Sequence, residues 1–384
     1  MTPSSEDPTL TLPRTLLVKT RGRSTMTPAE RELRERMGTE PRSLLFEQVL
    51  NCDVLDENAL ERVTGFRSRL YKHIPAFAAQ AIEATVLSRS YDVVITWSER
   101  HSVAVAAMFA LLRIRTPHLA MMFWLSKPAV RWPLRFCRNG VDRLVTWSSV
   151  QRDVAIRDIG FGAGDVELVR HPVDLEFFSP RESPRTIIFS AGSTERDFRT
   201  LAEAAKDMDA TVRIAASLVV ALDGYKIVTT DVRDESGWPD NFDVRPLTSL
   251  ELREAYAAAQ VVVVPLLPTD IDAGVNVILE GMAMGRPVVA TQTRGQVDVV
   301  NDGQNGLFVP AGDAKSLRER LDALRNDPEY AEELGRRARS YVEAHHSLES
   351  FVDRVRDNVA TLAARPVKRR RFRKVVSRAP VSPL

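Results

Sequence analysis

The sequence is poor in cysteine: Cys52 and Cys137 are the only two in 384 residues, and they stand too far apart for a metal-ligand pair or a redox CxxC. That scarcity excludes a disulfide framework and fits a reducing cytoplasm. No run reaches the roughly 18 apolar residues that span a bilayer, and the opening MTPSSEDPTLTLPRT has no apolar leader core. Any membrane contact is therefore expected to be peripheral. A charge excess is missing as well. Lys and Arg number 53 against 51 Asp and Glu, a formal net charge of +2 that implies no nucleic-acid partner. The exception is local: RPVKRRRFRKVVSR, from Arg365 to Arg378, contains no acid and reads as a solvated basic tail.

What is present is an ordinary core-forming composition, 44% hydrophobic and 27% charged, in a chain long enough for two domains. Short apolar runs alternate with segments of helical period, which predicts an α/β fold of parallel sheets covered by crossover helices. Strands are expected near Thr15–Lys19, Cys52–Leu55, Tyr91–Thr96, His118–Phe123 and Arg143–Thr146, with helices at IPAFAAQAIEATVLSRS and SVAVAAMFALLRI. The charged, proline-bearing RESPR suggests a linker and a boundary near Pro180. Beyond RTIIFSAGS, further strands are expected near Thr211–Ala215, Lys226–Thr229, Phe242–Arg245, Val261–Val264 and Pro287–Thr291, and helices at Leu250–Ala259 and Val275–Met284. Three amphipathic helices close the chain. The resulting division is 14–180, 181–346, a crossover helix at 347–364 and the tail 365–384.

The densest stretch is VVVVPLLPTDIDAGVNVILEGMAMGRPVVAT, a strand, loop, helix and strand in direct succession. Its loop lies at the carboxyl end of a strand, where open α/β sheets bind ligands, and the helix opening near Gly274 to Asn276 offers N–H groups to a phosphate. Asp272 precedes that helix and Glu280 sits inside it, interrupting an apolar run where an unpaired charge is costly. A plainer reading makes Asp272 a helix cap and Glu280 a solvent-facing residue. Asp270 and Asp272 also spell DxD, a spacing that can hold a divalent cation through paired carboxylates; short acidic pairs are common, and no metal or cofactor is expected.

Asp272, seven residues, Glu280 and then GMAMGRPVVA resemble the acid-to-Glu motif of the retaining, GT-B glycosyltransferases of family 4. The segments VTWSSVQRDVAIRDIGFGAGDVELVRHPVDLEFFSP, SAGSTERDFRTLAEA, DVRPLTSLELREAYAAAQVVVVP and VVNDGQNGLFVPAGD are similar to further blocks of that family, in order, from about Leu144 to the last helix. The resemblance implies two Rossmann-like domains facing across a cleft, with the last helix returning to the first. It also implies that Glu280 holds the ribose of a UDP- or GDP-sugar, Asp272 touches the transferring sugar, and Arg196 beside Gly192 holds the diphosphate. The backbone of Gly274, Val275 and Asn276 would share that charge, and Val244, Arg245 and Pro246 would lie against the base. Departing nucleoside diphosphate develops negative charge, which an Arg and a helix N-terminus stabilise without metal. This chain has Asp272 where the family usually has Glu, Ser193 where an Arg is often found, and His171 before Pro172.

The acceptor, a glycan or lipid-linked sugar, is expected on the first domain, near Glu99, His101, Trp124 and Lys127. His118, at a strand start, reads as a core residue. Residues 126–140 interleave Lys127, Arg131, Arg135 and Arg138 with Trp132, Leu134 and Phe136, which suits either an anionic membrane or a surface helix whose aromatics face the core. Rival readings are a sugar-nucleotide epimerase or sugar-phosphate synthase on the same architecture, and a non-catalytic protein that binds RNA or anions through the tail.

Overall fold

The computed structural model describes residues 12–20, 26–216, 221–222, 225–226 and 238–365. The basic tail beyond Arg365 lies outside them. Two six-stranded sheets are built in succession. The first contains β1 (Thr15–Lys19), β2 (Cys52–Leu55), β3 (Val93–Trp97), β4 (His118–Met121), β5 (Arg143–Thr146) and β6 (Val166–Leu168), in the order β2-β1-β3-β4-β5-β6. The second contains β7 (Ile187–Ala191), β8 (Thr211–Ala215), β11 (Phe242–Arg245), β12 (Ala259–Val264), β13 (Val288–Thr291) and β14 (Leu307–Val309), in the order β11-β8-β7-β12-β13-β14. Every pairing within these two sheets is parallel.

Parallel strands with helices on both faces must be apolar on both faces, and Val261 to Val264 are at most 1% exposed. Strand order in each sheet reverses once, between β1 and β3 in the first and between β7 and β12 in the second. The loops after β7 and β12 therefore open at a switch point, the crevice where such sheets take ligands.

One expected strand, Lys226–Thr229, lies mostly outside the described residues. Tyr225–Lys226 (β10) pairs antiparallel with Ala221–Leu222 (β9), separately from the second sheet, while 227–229 lie outside the described residues. The edge strands β6 and β14 escaped the sequence reading because three residues show no period.

The last helix, Leu348–Ala363, returns to the first sheet: Phe351, Val352, Val355, Val359 and Leu362 join Leu17, Phe46, Ile95, Leu119 and Met121 in one core. Outgoing and returning chains cross side by side, with Val173 N–H donating to the His346 carbonyl over 2.8 Å. Arg42 ties the crossing by ion pairs of 2.7 Å to Asp174 and to Glu349. Val173, Phe177 and Phe178 pack into the second core, so packing places the crossing before Val173 rather than at Pro180.

Candidate functional site

Arg196 lies between the two switch-point loops. Its Nε donates to the Ala191 carbonyl (2.9 Å) and its Nη1 to that of Thr194 (2.8 Å), and the residue is 3% exposed. Two glycines make room for it. Gly192 (φ 85°) and Gly274 (φ 82°) both adopt left-handed backbone. A Cβ on Gly192 would stand 2.6 Å from Arg196 Nη2, and one on Gly274 would stand 3.3 Å from the same guanidinium and 2.6 Å from Val264 Cγ1. Burial pulls the Arg196 pKa down to about 10, which still leaves the group charged at neutral pH. The sequence-derived phosphate residue is thus a cation recessed beneath two glycine turns. No side chain caps the adjoining helix Val275–Ala283, whose N-cap is Gly274 and whose second residue, Asn276, is exposed.

Glu280 is half-buried in that helix, and its charge does have a partner. Tyr256 Oη donates to Glu280 Oε2 over 2.7 Å. Burial pushes the Glu280 pKa up to about 7, with the phenol hydrogen bond opposing the rise. Tyr256 is itself fully buried, edge-on to Phe189 at 4.7 Å and to Phe178 at 5.8 Å. Sequence reasoning did not single it out. The available signal was a lone tyrosine on the buried face of SLELREAYA, since a buried phenol needs a polar partner.

Asp272 does not cap the helix with its side chain; its backbone carbonyl takes Val275 N–H instead. Its Oδ2 is buried and has no hydrogen-bond partner among the described residues. Burial, with the charge of Asp298 adding to it, pushes the Asp272 pKa up to about 7. A cavity opens beside it between the two halves, lined by Trp147, Arg170, His171, Asp298 and His346 among others.

Two contacts across the cleft come from the short helix Ser149–Val154. Ser149 N–H donates to Asp298 Oδ2 (2.8 Å), and Gln151 Nε2 donates to the Asp270 carbonyl (2.8 Å). Gln151 Oε1 in turn accepts from Leu125 N–H (2.8 Å) and Ser126 N–H (3.1 Å), so one buried amide joins the loop after β4 to the loop after β12. No feature of the sequence pattern signals this role. Of Asp270 and Asp272, only the second lines the cavity, and among the described residues no cluster of three or more His, Cys, Asp or Glu side chains has metal-holding geometry.

The acceptor-side candidates separate. Glu99 Oε1 accepts from Phe123 and Trp124 N–H groups, both at 2.8 Å, and burial raises its pKa. Lys127 Nζ sits 3.4 Å from the Trp124 ring centroid, while Trp124 packs against the second core. Burial lowers the Lys127 pKa, against the opposing charges of Glu99 and, from the second half, Glu195. His101 is 3% exposed and both its nitrogens are engaged: Nε2 donates to Gln80 Oε1 (2.8 Å), leaving Nδ1 to accept from Ser98 Oγ (2.7 Å). The expectation that His101 faces an acceptor is corrected on that ground. His118 is fully buried between Thr96 Oγ1 and the Gly140 carbonyl, as its sequence position suggested.

Val244 and Arg245 end β11 at the sheet edge and Pro246 follows it, and Arg245 pairs with Asp243 (3.3 Å) and Glu251 (3.4 Å). On the helix Pro128–Cys137, Val130, Leu134 and Cys137 are buried. Trp132 and Phe136 point outward instead, 54% and 78% exposed.

Residues 184–327 match the family model described as "Glycosyl transferases group 1". A stretch of 66 residues is 39% identical to the putative glycosyltransferase EpsD of Bacillus subtilis (strain 168), spanning 17% of either chain. The alpha-D-kanosaminyltransferase of Streptomyces kanamyceticus is 24% identical over 297 residues, 77% of this chain and 71% of that one. The solved structure of Anabaena HepE in complex with UDP and glucose superposes with a TM-score of 0.66 at 15% identity, covering 91% of this chain and 100% of that one. With its two parallel sheets, its crossing segment and its returning helix, the chain carries the GT-B fold, and its second half matches the model of the group 1 glycosyltransferases.

Proposed function

We propose that the protein is a retaining glycosyltransferase of family 4 that moves a sugar from a UDP- or GDP-sugar to a hydroxyl of a glycan, glycolipid or natural-product acceptor. The observation that carries this reading is the convergence, at one switch point, of a recessed cation, an uncapped helix N-terminus and a carboxylate held by Tyr256. Arg196 and the amides of Gly274, Val275 and Asn276 take the diphosphate and stabilise the charge that grows as it leaves. Glu280 accepts from the ribose hydroxyls with Tyr256 fixing its orientation, and Asp272 accepts from the transferring sugar. Val244, Arg245 and Pro246 border the base, while Gly192 lies beside Arg196 at the diphosphate. Glu99, Trp124 and Lys127 form the acceptor wall, and no metal or cofactor takes part.

The group 1 family match and the glycosyltransferase relatives favour transfer over epimerisation or a purely anion-binding role. The capsular polysaccharide biosynthesis glycosyltransferase CapM of Staphylococcus aureus, 35% identical over 78 residues, supports an envelope polysaccharide. We place the protein at the cytoplasmic membrane surface, docked through Trp132 and Phe136 with Arg135 beside them. No helix among the described residues is long and apolar enough to cross a membrane.

The test is thermal stabilisation by UDP, GDP, ADP and dTDP of the wild type and of Glu280→Ala. A ligand at a hundred times its dissociation constant stabilises by about 2.7 kcal/mol. A base-selective shift that disappears in the variant supports the reading; no shift with any nucleotide overturns it.

A further inference from the structure

Residues 38–42 of the first half lie against the second. They follow the helix Pro28–Arg36, and Gly38 (φ 65°) turns the chain out of it in left-handed backbone. Glu35 in that helix folds the segment back, accepting from Ser43 N–H (2.9 Å), Ser43 Oγ (2.7 Å) and Leu44 N–H (3.2 Å). Arg42 pins the far end to Asp174 and to Glu349, each at 2.7 Å. Held at both ends, the segment is a strap that presents the Gly38 carbonyl and the Glu40 carboxylate to the second half.

Both groups meet one helix, Ser249–Ala257. Arg253 Nη1 donates to the Gly38 carbonyl over 3.0 Å, and Ser249 Oγ donates to Glu40 Oε2. Tyr256 is the one large side chain that this helix buries fully, between the small Ala255 and Ala257. A line of contacts joins the strap to it. The Arg253 guanidinium lies 4.6 Å from the Phe177 ring centroid, Phe177 is edge-on to Phe178 at 4.9 Å, and Phe178 is edge-on to Tyr256 at 5.8 Å. Tyr256 then holds Glu280 over 2.7 Å. Arg253 itself is buried, and its Nε has no hydrogen-bond partner among the described residues. A buried N–H without an acceptor costs stability, so stability alone does not account for an arginine here.

We propose that Arg253 is a positioning residue of the donor site, through which the strap at residues 38–42 sets Tyr256 and with it the Glu280 carboxylate. This rests on the reading of Glu280 as the partner of the donor ribose. Contact between the halves and grip on the ribose are then coupled, and the coupling runs both ways. Drawing the strap off the helix loosens the ribose contact, and a bound ribose strengthens the strap.

The experiment uses the full chain and compares the dissociation constants of UDP and GDP with those of their dideoxy analogues, which lack both ribose hydroxyls. The ratio of the two constants reports the ribose contact alone. In the wild type it should be about tenfold for the preferred base, as hydrogen bonds to a carboxylate support. Arg253→Met keeps a long side chain over Phe177 but removes the donor to Gly38. It should lower the ratio about threefold while leaving the dideoxy constant unchanged. Arg253→Lys, which still carries a donor for that carbonyl, should restore the ratio. Ser249→Ala cuts the other tie in the first turn of the helix, and it carries the test if Arg253→Met does not fold. In a Tyr256→Phe background Arg253→Met should change the ratio by less than about twofold, because the link to Glu280 is already gone. The proposal is overturned if Arg253→Met and Ser249→Ala weaken ribose and dideoxy nucleotides alike or not at all, or if Arg253→Met keeps its full effect in Tyr256→Phe. A wild type that ignores the ribose, or binds no nucleotide, sinks the reading of Glu280 separately. The strap is then decided by urea melts of the same Arg253–Tyr256 cycle: effects on the unfolding constant that multiply to within about twofold overturn it, and a larger departure sustains it.

Discussion

The two halves of the molecule share a six-stranded parallel sheet with a single reversal of strand order, yet they treat polar groups at that reversal in opposite ways. In the first half the groups are consumed by one another. Gln80 donates to the Lys19 and Leu55 carbonyls and accepts from His101, and Lys19 pairs with Glu47. In the second half Asp272 Oδ2 is buried without a partner among the described residues, and Glu280 holds one fixed hydrogen bond. The same backbone frame makes a satisfied scaffold in one place and an unfilled site in the other. Buried groups left short of partners cost stability, so their accumulation at one switch point marks the half that binds.

The comparison breaks most decisively at Arg196. Arg196→Met is expected to lower kcat/KM by roughly a hundredfold or more and to abolish the nucleotide thermal shift, because the charge facing the diphosphate disappears. Steady-state kinetics beside a melting curve separates this from misfolding. In the first half, His101→Leu leaves the Gln80 carbonyl oxygen without its donor and should cost about 1–3 kcal/mol in urea-melt stability, with kcat little changed. A collapse of kcat at intact stability would show that the first switch point also does chemistry.

Tyr256→Phe sharpens the account of Glu280. Nucleotide affinity should fall about tenfold, since one hydrogen bond to a carboxylate is lost while the buried ring stays. Its pH dependence distinguishes orientation from packing. Burial raises the Glu280 pKa to about 7, and in the proposed role its ionised form accepts from the ribose, so wild-type affinity is expected to rise as pH climbs through about 7. Without the phenol that midpoint moves higher, because the lost O–H donation had favoured the carboxylate. The ligand-free protein should show the reverse trend. Carboxyl groups with folded pKa values raised to about 7 bind protons more tightly when folded, so the stability they contribute is full below the unfolded value near 4 and declines as pH rises toward 7. Urea melts of Glu280→Gln across that window should be flatter than those of the wild type.

The smallest expected change in the folded protein is at the surface. Trp132→Ser with Phe136→Ser should leave stability within about 0.5 kcal/mol and donor binding intact, while abolishing co-sedimentation with vesicles containing anionic lipid. Unchanged co-sedimentation would remove the proposed membrane contact.

Much of the frame was legible in advance because its determinants are local. Central parallel strands are covered on both faces, so runs such as VVVV at 261–264 announce themselves, and Thr15–Lys19, Cys52–Leu55, Arg143–Thr146, Thr211–Ala215 and Phe242–Arg245 fall where the apolar runs place them. Residues matched by one contiguous motif, Asp272 and Glu280, could be paired from sequence alone. Strands of three residues could not be seen, and neither could the short antiparallel pairing at Tyr225–Lys226, which lacks the period of a sheet strand.

By itself, then, the sequence determined the α/β alternation, the two sheets and the loop and helix that carry the acids. Only the tertiary structure decided which groups keep their polar atoms open. Tyr256 and Glu280 are 24 residues apart, Gln151 and Asp270 are 119 apart, and His346 and His171 are 175 apart. Hydrophobic period encodes which face of an element is buried, but strand order and the paired chain crossings decide which polar side chain meets which. That is why the partner of Glu280, the loss of His101 to Gln80 and the cavity beside Asp272 had to be seen in three dimensions.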